Sequence, residues 1–402
     1  MERKFILKRL NRECKAQRQI IGVAVGAGIT AKYAVRGGAD MIFVLSSGKF
    51  RQMGVGSLAA YLPFVNSNEM VMEIGLREIK PLVKEIPVIF GLNATDPLID
   101  LEWYVGQIKK AGFNGINNYP TIGLVDGTYR QILEKNEISF DREVEAIRIA
   151  SEKGLFTVAF VFDEAQTKQM LNAGADVICV HLGLTSGGIL GAKKVLSLVN
   201  AVKRINDLFA VCDQSERKVF KMIYGGPIQT PLDLLFIHQH TEMDGYIGGS
   251  TFERIQSEKV ITNITHAFKE LDLIESEDLM VKMLDGITKH YEYVDFIKKY
   301  IAKHYQYPVS LAEMAEIAHV SPSHLSRLFK KEVGINFRTY LMEYRMHQAT
   351  KFFREKPFKC AEVAKLVGYE DYFQFSKIFK KVIGMSPREY QRHLKTSEAH
   401  KR

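Results

Sequence analysis

Side chains that could read DNA bases lie on one face of a short helical pattern near the C-terminus. A serine followed by proline at positions 321 and 322 is typical of a helix start, because the serine oxygen can accept from free backbone N–H groups and proline has no N–H to lose. Apolar residues then recur at the spacing of a single helix face. The opposite face carries Ser323, Ser326, Arg327 and Lys330. Such side chains can donate to base edges in a major groove.

The same pattern returns fifty residues later in the chain. Residues 326–331 (Ser-Arg-Leu-Phe-Lys-Lys) correspond to residues 376–381 (Ser-Lys-Ile-Phe-Lys-Lys), and Gly334 corresponds to Gly384. A long helical pattern over residues 337–353 joins the two copies. Two helix-turn-helix units on one connecting helix could place their recognition helices in successive major grooves, about 34 Å apart.

This tandem resembles the AraC/XylS family of transcription regulators over about residues 288–394. The resemblance rests on the double motif together with Gly334, Gly368, Gly384, Ser386-Pro387 and Tyr390. It implies base reading by two sets of four side chains, which are Ser323, His324, Ser326 and Arg327, and Tyr372, Phe373, Gln374 and Lys377.

Within these sets, Arg327 can bind a guanine edge and Gln374 an adenine edge, each contributing about 1–3 kcal/mol of discrimination. Two roles are open for Phe373, which are contact with a thymine methyl group and packing on its own domain. Phosphates are the expected partners of Lys330, Lys331, Lys380 and Lys381, which would add affinity that depends on salt but not on sequence.

Positive charge is concentrated in the part of the chain that holds these motifs. Residues 286–402 contain 22 Lys and Arg and 12 Asp and Glu, a net charge of +10. Residues 1–285 contain 33 and 34, a net charge of −1. This asymmetry predicts a polyanionic partner for the C-terminal part, and we expect that partner to be double-stranded DNA.

The larger N-terminal part alternates short apolar strands with amphipathic helices. Eight strands are predicted, at residues 20–27, 41–45, 88–92, 115–118, 156–160, 177–181, 220–224 and 245–248. Several are apolar throughout, as strands buried on both faces of a parallel sheet require. Eight units in roughly 250 residues predict a (β/α)8 TIM barrel. A doubly wound open sheet is the alternative, although no GxGxxG dinucleotide motif is present.

The loops after these strands are rich in polar residues and glycine, and in a barrel they form the ligand site. The predicted ligand-binding residues are Ser47, Gly48, Arg51, Thr95, Asp96, Arg130, His181, Thr185, Gly225, Gly226, Gly248, Gly249 and Ser250, with Lys49 as a further candidate. The glycines after the last two strands are at the usual phosphate-binding position of such barrels, although tight turns would explain them equally.

Three residues of these loops have side chains suited to acid–base catalysis or metal binding. They are His181, Asp96 and Asp126. The alternatives are that the aspartates cap turns and that the histidine bonds to a neighbouring loop. A Mg²⁺ ion is expected only if the barrel is catalytic, because such a site needs carboxylates together with substrate oxygens.

These loop motifs resemble the phosphoenolpyruvate hydrolase-like barrel family over about residues 18–272. The resemblance rests on Ser47-Gly48, Phe50-Arg51, Gly56-Ser57, Thr95-Asp96-Pro97, Pro120-Thr121-Ile122-Gly123, Asp126-Gly127, Arg130, residues 181–185 and Gly225-Gly226-Pro227. The chain departs from the family at Ile223-Tyr224, where Cys-His is more usual, and at Ser46, where Asn is expected. It also lacks the K-K-C-G-H type loop of the related mutase and lyase enzymes. The resemblance implies a barrel with a small-molecule pocket and leaves catalysis undecided.

The predicted fold class is therefore α/β plus all-α, in two domains. The boundaries are a barrel at residues 1–274, a linker at 275–287, a DNA-binding domain at 288–395 and a basic tail at 396–402. Four scattered cysteines without a CxxC pair, and no apolar segment near the length of a bilayer span, predict a reduced cytoplasmic protein.

Three hypotheses for the whole protein follow from these features. In the first, a barrel that senses a small anionic metabolite, phosphate or carboxylate, controls a DNA-binding domain. In the second, the barrel is an active lyase or hydrolase on a phosphoenolpyruvate-like substrate, and the protein also binds DNA. In the third, the barrel is only a dimerisation platform. Separately, we expect the protein to form a homo-oligomer through its barrel.

Overall fold

The computed structural model describes residues 1–193, 195–269, 293–294, 297–317, 321–355 and 358–399. The chain divides into two compact units, Met1–Lys259 and Val260–Arg402. The predicted linker at residues 275–287 lies outside the described residues. No helix among the described residues is long and apolar enough to cross a membrane.

Eight parallel strands of the first unit close into a barrel. In chain order they are β1 (Ile20–Val25), β2 (Met41–Val44), β3 (Val88–Gly91), β4 (Gly115–Asn117), β5 (Phe156–Val161), β6 (Val177–His181), β7 (Phe220–Tyr224) and β8 (Gly245–Gly248). Each strand pairs with the next, and β8 pairs with β1, where Val23 is opposite Gly248. The predicted TIM barrel is confirmed, and the doubly wound sheet is wrong because the sheet has no open edge.

Helices surround the barrel and alternate with its strands. Their bounds are α1 (Arg3–Lys15), α2 (Gly28–Arg36), α3 (Ser46–Gln52), α4 (Ser67–Ile74), α5 (Leu101–Lys110), α6 (Gly127–Lys135), α7 (Phe140–Glu152), α8 (Glu164–Asn172), α9 (Leu198–Asp213), α10 (Pro231–His238) and α11 (Arg254–Lys269). Helix α1 precedes the first strand, and its Ile6 and Leu10 are fully buried in the core cluster that contains Ile20 and Val177. Because these two are the first residues of their strands, α1 covers the N-terminal end of the barrel.

An aspartate or asparagine before four of the strands stabilises the N-terminal end of the barrel. Asp40, Asn114, Asp176 and Asp244 each come directly before a strand. Their side-chain oxygens accept backbone N–H groups of the adjacent strand, from Ile21 (3.0 Å), Val88 (2.8 Å), Thr157 (3.1 Å) and Lys221 (2.7 Å). The repeat therefore satisfies backbone groups that would otherwise be unpaired where each strand begins.

The second unit is helical over its described residues. Its helices are residues 297–304, Leu311–Ile317, Pro322–Val333, Phe337–Glu355, Cys360–Leu366, Tyr372–Ile383 and Pro387–Ala399. We call Pro322–Val333 the first recognition helix and Tyr372–Ile383 the second. The long helix Phe337–Glu355 connects the two halves, as the sequence predicted, and the last helix extends into the predicted basic tail.

Candidate ligand pocket and DNA interface

His181, the last residue of β6, points into the barrel interior among aromatic rings, at the end where the strands finish. Its ring centroid lies 5.1 Å from that of Phe160, 4.9 Å from Phe162 and 4.8 Å from Tyr224. The histidine is 1% exposed. Because strands alternate their side chains between faces, the inward residues of neighbouring strands meet at this level of the barrel.

The hydrogen bond at Nδ1 defines which form of His181 is present. The backbone N–H of Gly183 donates to Nδ1 over 3.0 Å, so the neutral ring carries its proton on Nε2. Burial, assisted by the positive charge of Arg204, lowers the pKa of His181 to about 3. The imidazole is therefore neutral near pH 7, and Nε2 is a hydrogen-bond donor.

Arg51 does not extend into the pocket as a free cation. Its guanidinium forms a buried ion pair with Glu253 at 2.8 Å, and both side chains are 1% exposed. The remaining N–H groups donate to the carbonyl of Ala24 (2.8 Å) and to the hydroxyls of Ser47 (3.2 Å) and Ser57 (3.5 Å). Arg51 thus binds parts of its own chain at the mouth of the barrel.

The two candidate aspartates are not brought together with His181 as a catalytic set. Asp96 is 4% exposed, and its carboxylate accepts from Asn66 (2.8 Å), Asn68 (3.1 Å) and the backbone N–H of Leu98 (2.9 Å). Asp126 is exposed at the start of α6. The hydrogen bonds of Asp96 stabilise the loop in which it lies. This agrees with turn capping, which the sequence analysis gave as the alternative to catalysis.

The remaining polar candidates are also bonded within the protein. Lys49 pairs with Glu78 at 2.8 Å, and Arg130 pairs with Glu134 at 2.7 Å while donating to a backbone carbonyl. Thr95 donates to Asn93, and Ser250 lies 3.4 Å from Ser57. Thr185 is 8% exposed in the loop that follows His181.

Close packing accounts for glycines that the sequence associated with phosphate. Gly226, next to Gly225 after β7, has a φ of 65°, and a Cβ there would lie 2.5 Å from the Cβ of Leu182. Gly249, next to Gly248 after β8, is also closely surrounded. A Cβ at that position would lie 3.0 Å from Arg51 Nη2 and 3.1 Å from Tyr224 Oη.

The loop after β6 narrows the mouth of the barrel. The carbonyl oxygen of Leu190 lies 3.7 Å from the position of a Cβ on Gly56, in the loop that follows α3. Glu258 of α11 holds this loop by accepting the backbone N–H groups of Ile189 (2.6 Å) and Leu190 (3.3 Å). The loop after β6 therefore lies against the loop after α3 at the mouth of the barrel.

The two recognition helices begin and end in the same way. Ser321 caps the first by accepting the N–H of His324 at 3.2 Å, and Asp371 caps the second by accepting the N–H of Phe373 at 2.8 Å. The helices end at Gly334 and Gly384, with φ values of 83° and 89°, in the left-handed region that glycine adopts without strain.

Corresponding positions are buried in both recognition helices. Leu325 and Phe329 in the first, and Phe375 and Phe379 in the second, are fully buried. The exposed reader and phosphate candidates are Ser323, Ser326, Arg327, Lys330, Lys331, Phe373, Gln374, Lys377, Lys380 and Lys381, whereas His324 and Tyr372 are half-buried. Phe373 is 82% exposed, so of the two roles left open for it, packing on its own domain is not the one that the structure shows.

Comparison with known proteins assigns both units. Residues 5–271 match the family described as phosphoenolpyruvate hydrolase-like, and residues 314–393 match a helix-turn-helix domain. The chain belongs to the phosphoenolpyruvate hydrolase-like family. Residues 314–393 form an AraC-type helix-turn-helix domain, as the sequence motifs indicated.

The chain is similar to plant and bacterial proteins of known sequence. The ToMV resistance protein Tm-1(GCR237) of Solanum lycopersicum is 37% identical over 276 residues, which are 68% of this chain and 36% of the relative. The putative transcriptional regulatory protein y4pA of Sinorhizobium fredii is 36% identical over 261 residues, which are 65% of this chain and 43% of the relative.

A solved structure also matches part of the chain. The C-terminal domain of AraT, a response regulator from Geobacillus stearothermophilus, is 37% identical, with 25% of this chain and 84% of that chain covered and a TM-score of 0.25. The present chain spans less than half the length of the two curated relatives.

The residues of this phosphoenolpyruvate hydrolase-like barrel do not fit a Mg²⁺ site. Magnesium requires carboxylate oxygens that can face the ion. The carboxylates of Asp96 and Glu253 are held by protein donors, and Asp126 is exposed at a helix start. Among the described residues, no group of three or more His, Cys, Asp and Glu side chains could hold a metal ion.

Sequence reasoning missed two residues of the mouth. Tyr224, 7% exposed, stood out only as a departure from the family pattern, and its hydroxyl would lie 3.1 Å from a Cβ on Gly249. Glu143 of α7 is fully buried and accepts from Asn118 (2.6 Å) and the N–H of Ile122 (2.6 Å). Burial raises the pKa of Glu143 to about 7. A lone glutamate in an amphipathic helix pattern gave no signal of this role.

Proposed function

We propose that this protein is a sequence-specific DNA-binding transcription regulator whose barrel binds a small metabolite that controls DNA binding. The DNA half is supported most directly by the two matched recognition helices, which bury the same positions and leave Arg327, Gln374 and Lys377 exposed. The net charge of +10 in residues 286–402 favours the same partner. A relative named as a putative transcriptional regulatory protein is consistent with this role.

The metabolite half is supported by the side chains at the barrel mouth. His181 and Tyr224 are buried polar residues at the end of the barrel where ligands of this fold bind. We propose that their ligand is a small anion, phosphate or carboxylate, as the sequence predicted. Control of DNA binding then requires a difference in ligand affinity between two states of the protein, typically about 1–3 kcal/mol.

Further proposals concern assembly and location. We propose that the protein acts in the cytoplasm and forms a homo-oligomer through its barrel. Two copies would present four recognition helices, which suits a long operator with repeated half-sites.

The DNA assignment is tested by selecting preferred duplexes with the full chain and measuring affinity in a gel-shift series. We expect Arg327→Ala to lower affinity for the selected site by about 1–3 kcal/mol and to relax the preference at one base pair. Lys330→Ala, one turn along the same helix, is the matched control. It should weaken binding to all sequences alike and reduce the salt dependence. Equal loss on all DNA for Arg327→Ala would remove this residue from the base-reading set.

The metabolite assignment is tested by screening phosphorylated and carboxylate metabolites for thermal stabilisation of the full chain. Stabilisation without turnover supports a sensor. Turnover that is abolished by His181→Ala or Asp96→Ala would instead support the bifunctional enzyme. Stabilisation by no compound would leave the barrel as an oligomerisation unit only.

A further inference from the structure

Arg345 of the long connecting helix contacts both halves of the helical unit, which are the helices before and after Phe337–Glu355. Its guanidinium donates to the carbonyl oxygens of Tyr305 (2.7 Å) and Tyr307 (2.8 Å), just after the helix at residues 297–304. Its Cζ also lies 5.3 Å from the ring centroid of Tyr369, in the turn before the second recognition helix. One side chain therefore joins the first half to the turn of the second half.

The chemistry of arginine suits this junction. Carbonyl oxygens at the end of a helix lack partners within the helix, so they can accept from a neighbouring side chain. The guanidinium holds its N–H donors in one rigid plane, and its face can lie over an aromatic ring at the same time. Arg345 thus restrains the direction of the contact between the halves as well as its distance.

The backbones of the two halves approach each other beside Arg345. Gly368, directly before Tyr369, has a φ of 81°, in the left-handed region that favours glycine. A Cβ on Gly368 would lie 2.7 Å from the carbonyl oxygen of Gln306 and 3.0 Å from Arg345 Nη2. The turn of the second half therefore packs directly on the segment that follows the first helix of the first half.

Aromatic rings continue this junction to both recognition helices. Successive ring centroids lie 5.5, 6.5 and 5.5 Å apart along Phe329 of the first recognition helix, Tyr340, Tyr344 and Tyr305. On the other side of Arg345, the ring of Tyr369 lies 5.9 Å from that of Phe375, which is fully buried in the second recognition helix. The contacts form an unbroken path between the recognition helices, and Arg345 is the charged member of that path.

We propose that Arg345 is a positioning residue that fixes the angle between the two recognition helices and thereby the spacing of half-sites that the protein accepts on DNA. The long helix sets the distance between the halves, whereas side contacts set the angle at which each half packs on it. Two recognition helices on a rigid connector bind successive major grooves only when the half-sites have the matching separation. This inference rests on the proposed DNA-binding function, and it requires no contact between Arg345 and DNA.

The test uses the full chain and the duplex that it selects. The half-sites are located by the base pairs at which Arg327→Ala and Gln374→Ala relax the preference, and a second duplex carries one base pair inserted between them. The insertion moves one half-site by about 3.4 Å along the DNA axis and turns it by about 35°. We define the spacing penalty as the dissociation constant for the inserted duplex divided by that for the selected duplex. For the wild type we expect a penalty of about tenfold or more, since base contacts on one side are misaligned.

Arg345→Met should lower the spacing penalty by about three- to tenfold, within the range of coupling between residues of one contact network. A purely structural role would lower only the fraction of folded protein, which changes both dissociation constants alike and leaves their ratio constant. Arg345→Lys keeps the charge but not the planar donors, so its penalty should also fall, by less. It replaces Arg345→Met in the test if circular dichroism shows that Arg345→Met does not fold.

Arg354→Met is the matched control on the same helix. Arg354 donates to the hydroxyl of Tyr390 at 3.2 Å, within the second half, so its loss should leave the spacing penalty unchanged. An unchanged penalty in both Arg345 variants, an equal reduction in Arg354→Met, or a wild type that binds both duplexes equally would each overturn the proposal. A wild type that selects no duplex would overturn the DNA-binding function itself, so the two failures are distinguishable.

Discussion

The barrel mouth and the recognition helices use polar side chains in opposite ways. At the mouth, Arg51, Asp96 and Glu253 are buried and bonded to their own chain. On the recognition helices, Arg327 and Gln374 are exposed. A pocket must satisfy its buried polar groups internally, whereas a DNA-reading surface leaves them for the partner.

This difference predicts separate consequences for substitutions in the two regions. Replacement of a polar residue at the mouth should change the free energy of unfolding of the barrel, because bonded partners lose their counterpart. Replacement of a reader residue should change DNA affinity and leave folding nearly unchanged. Trp103 on α5 is the single tryptophan of the chain, so its fluorescence reports on unfolding of the barrel.

The largest effect is expected from Arg51→Met. The substitution leaves the Glu253 carboxylate buried without its cation, which is typically unfavourable by about 3–5 kcal/mol. The measurement is denaturant unfolding of the full chain followed by Trp103 fluorescence. Lys49→Met is the matched control on the same helix, because Lys49 and Glu78 are about one third exposed. It should lower stability by less than about 1 kcal/mol. Equal effects of the two substitutions would mean that the mouth does not depend on its internal ion pair.

A smaller effect that depends on pH is expected from Glu143. Its pKa in the folded protein, about 7, is above the ordinary value of 4.5, so the folded state holds a proton that the unfolded state releases between these values. Stability therefore decreases as pH rises from 4.5 to 7, by up to about 3 kcal/mol above pH 7. Glu143→Gln cannot ionise and should lack this decrease.

Comparison of the wild type with Glu143→Gln isolates this residue from His181. The lowered pKa of His181 acts in the opposite direction, since its unfolded form takes up a proton below about pH 6.5 and stability falls as pH decreases. The contribution of His181 is the same in the wild type and in Glu143→Gln. It therefore cancels in the difference between their free energies of unfolding from pH 5 to pH 8. Glu145→Gln, at a half-buried position of the same helix where Arg148 lowers the pKa of the carboxyl, should show no such difference between pH 5 and pH 8. A constant difference for Glu143→Gln would contradict the raised pKa.

The sequence was sufficient to predict the fold because the strand signals are local. Each apolar run, such as residues 177–181 and 220–224, needs only its own neighbours to be recognised, and both strands have the predicted bounds. The role of Asp40 and Asp176 as acceptors for the neighbouring strand, by contrast, appears only in three dimensions.

The pocket could not be predicted in the same way because its properties depend on distant residues. Arg51 looks like an anion ligand until Glu253, two hundred residues later, is placed beside it. Gly226 looks like a phosphate-binding residue until Leu182 fills the space next to it. The importance of Tyr224 comes from its burial and that of Glu143 from burial and hydrogen bonds, which no sequence spacing specifies.

The smallest effect separates the two regions most clearly. Phe373→Ala removes a ring that is 82% exposed, so the free energy of unfolding should change by less than about 0.5 kcal/mol. If the ring contacts a thymine methyl group, affinity for the selected duplex should fall by about 1 kcal/mol, as expected for a small buried apolar contact.

Phe375→Ala, two residues along the same helix, is the opposite case. Phe375 is fully buried beside Phe379, so its loss should destabilise the helical unit by about 3–5 kcal/mol. Thermal unfolding by circular dichroism and gel shifts on duplexes with thymine replaced by uracil measure the two effects. The same loss of affinity on uracil as on thymine would show that Phe373 does not read the methyl group, and the second helix would then depend on Gln374 and Lys377 for its specificity.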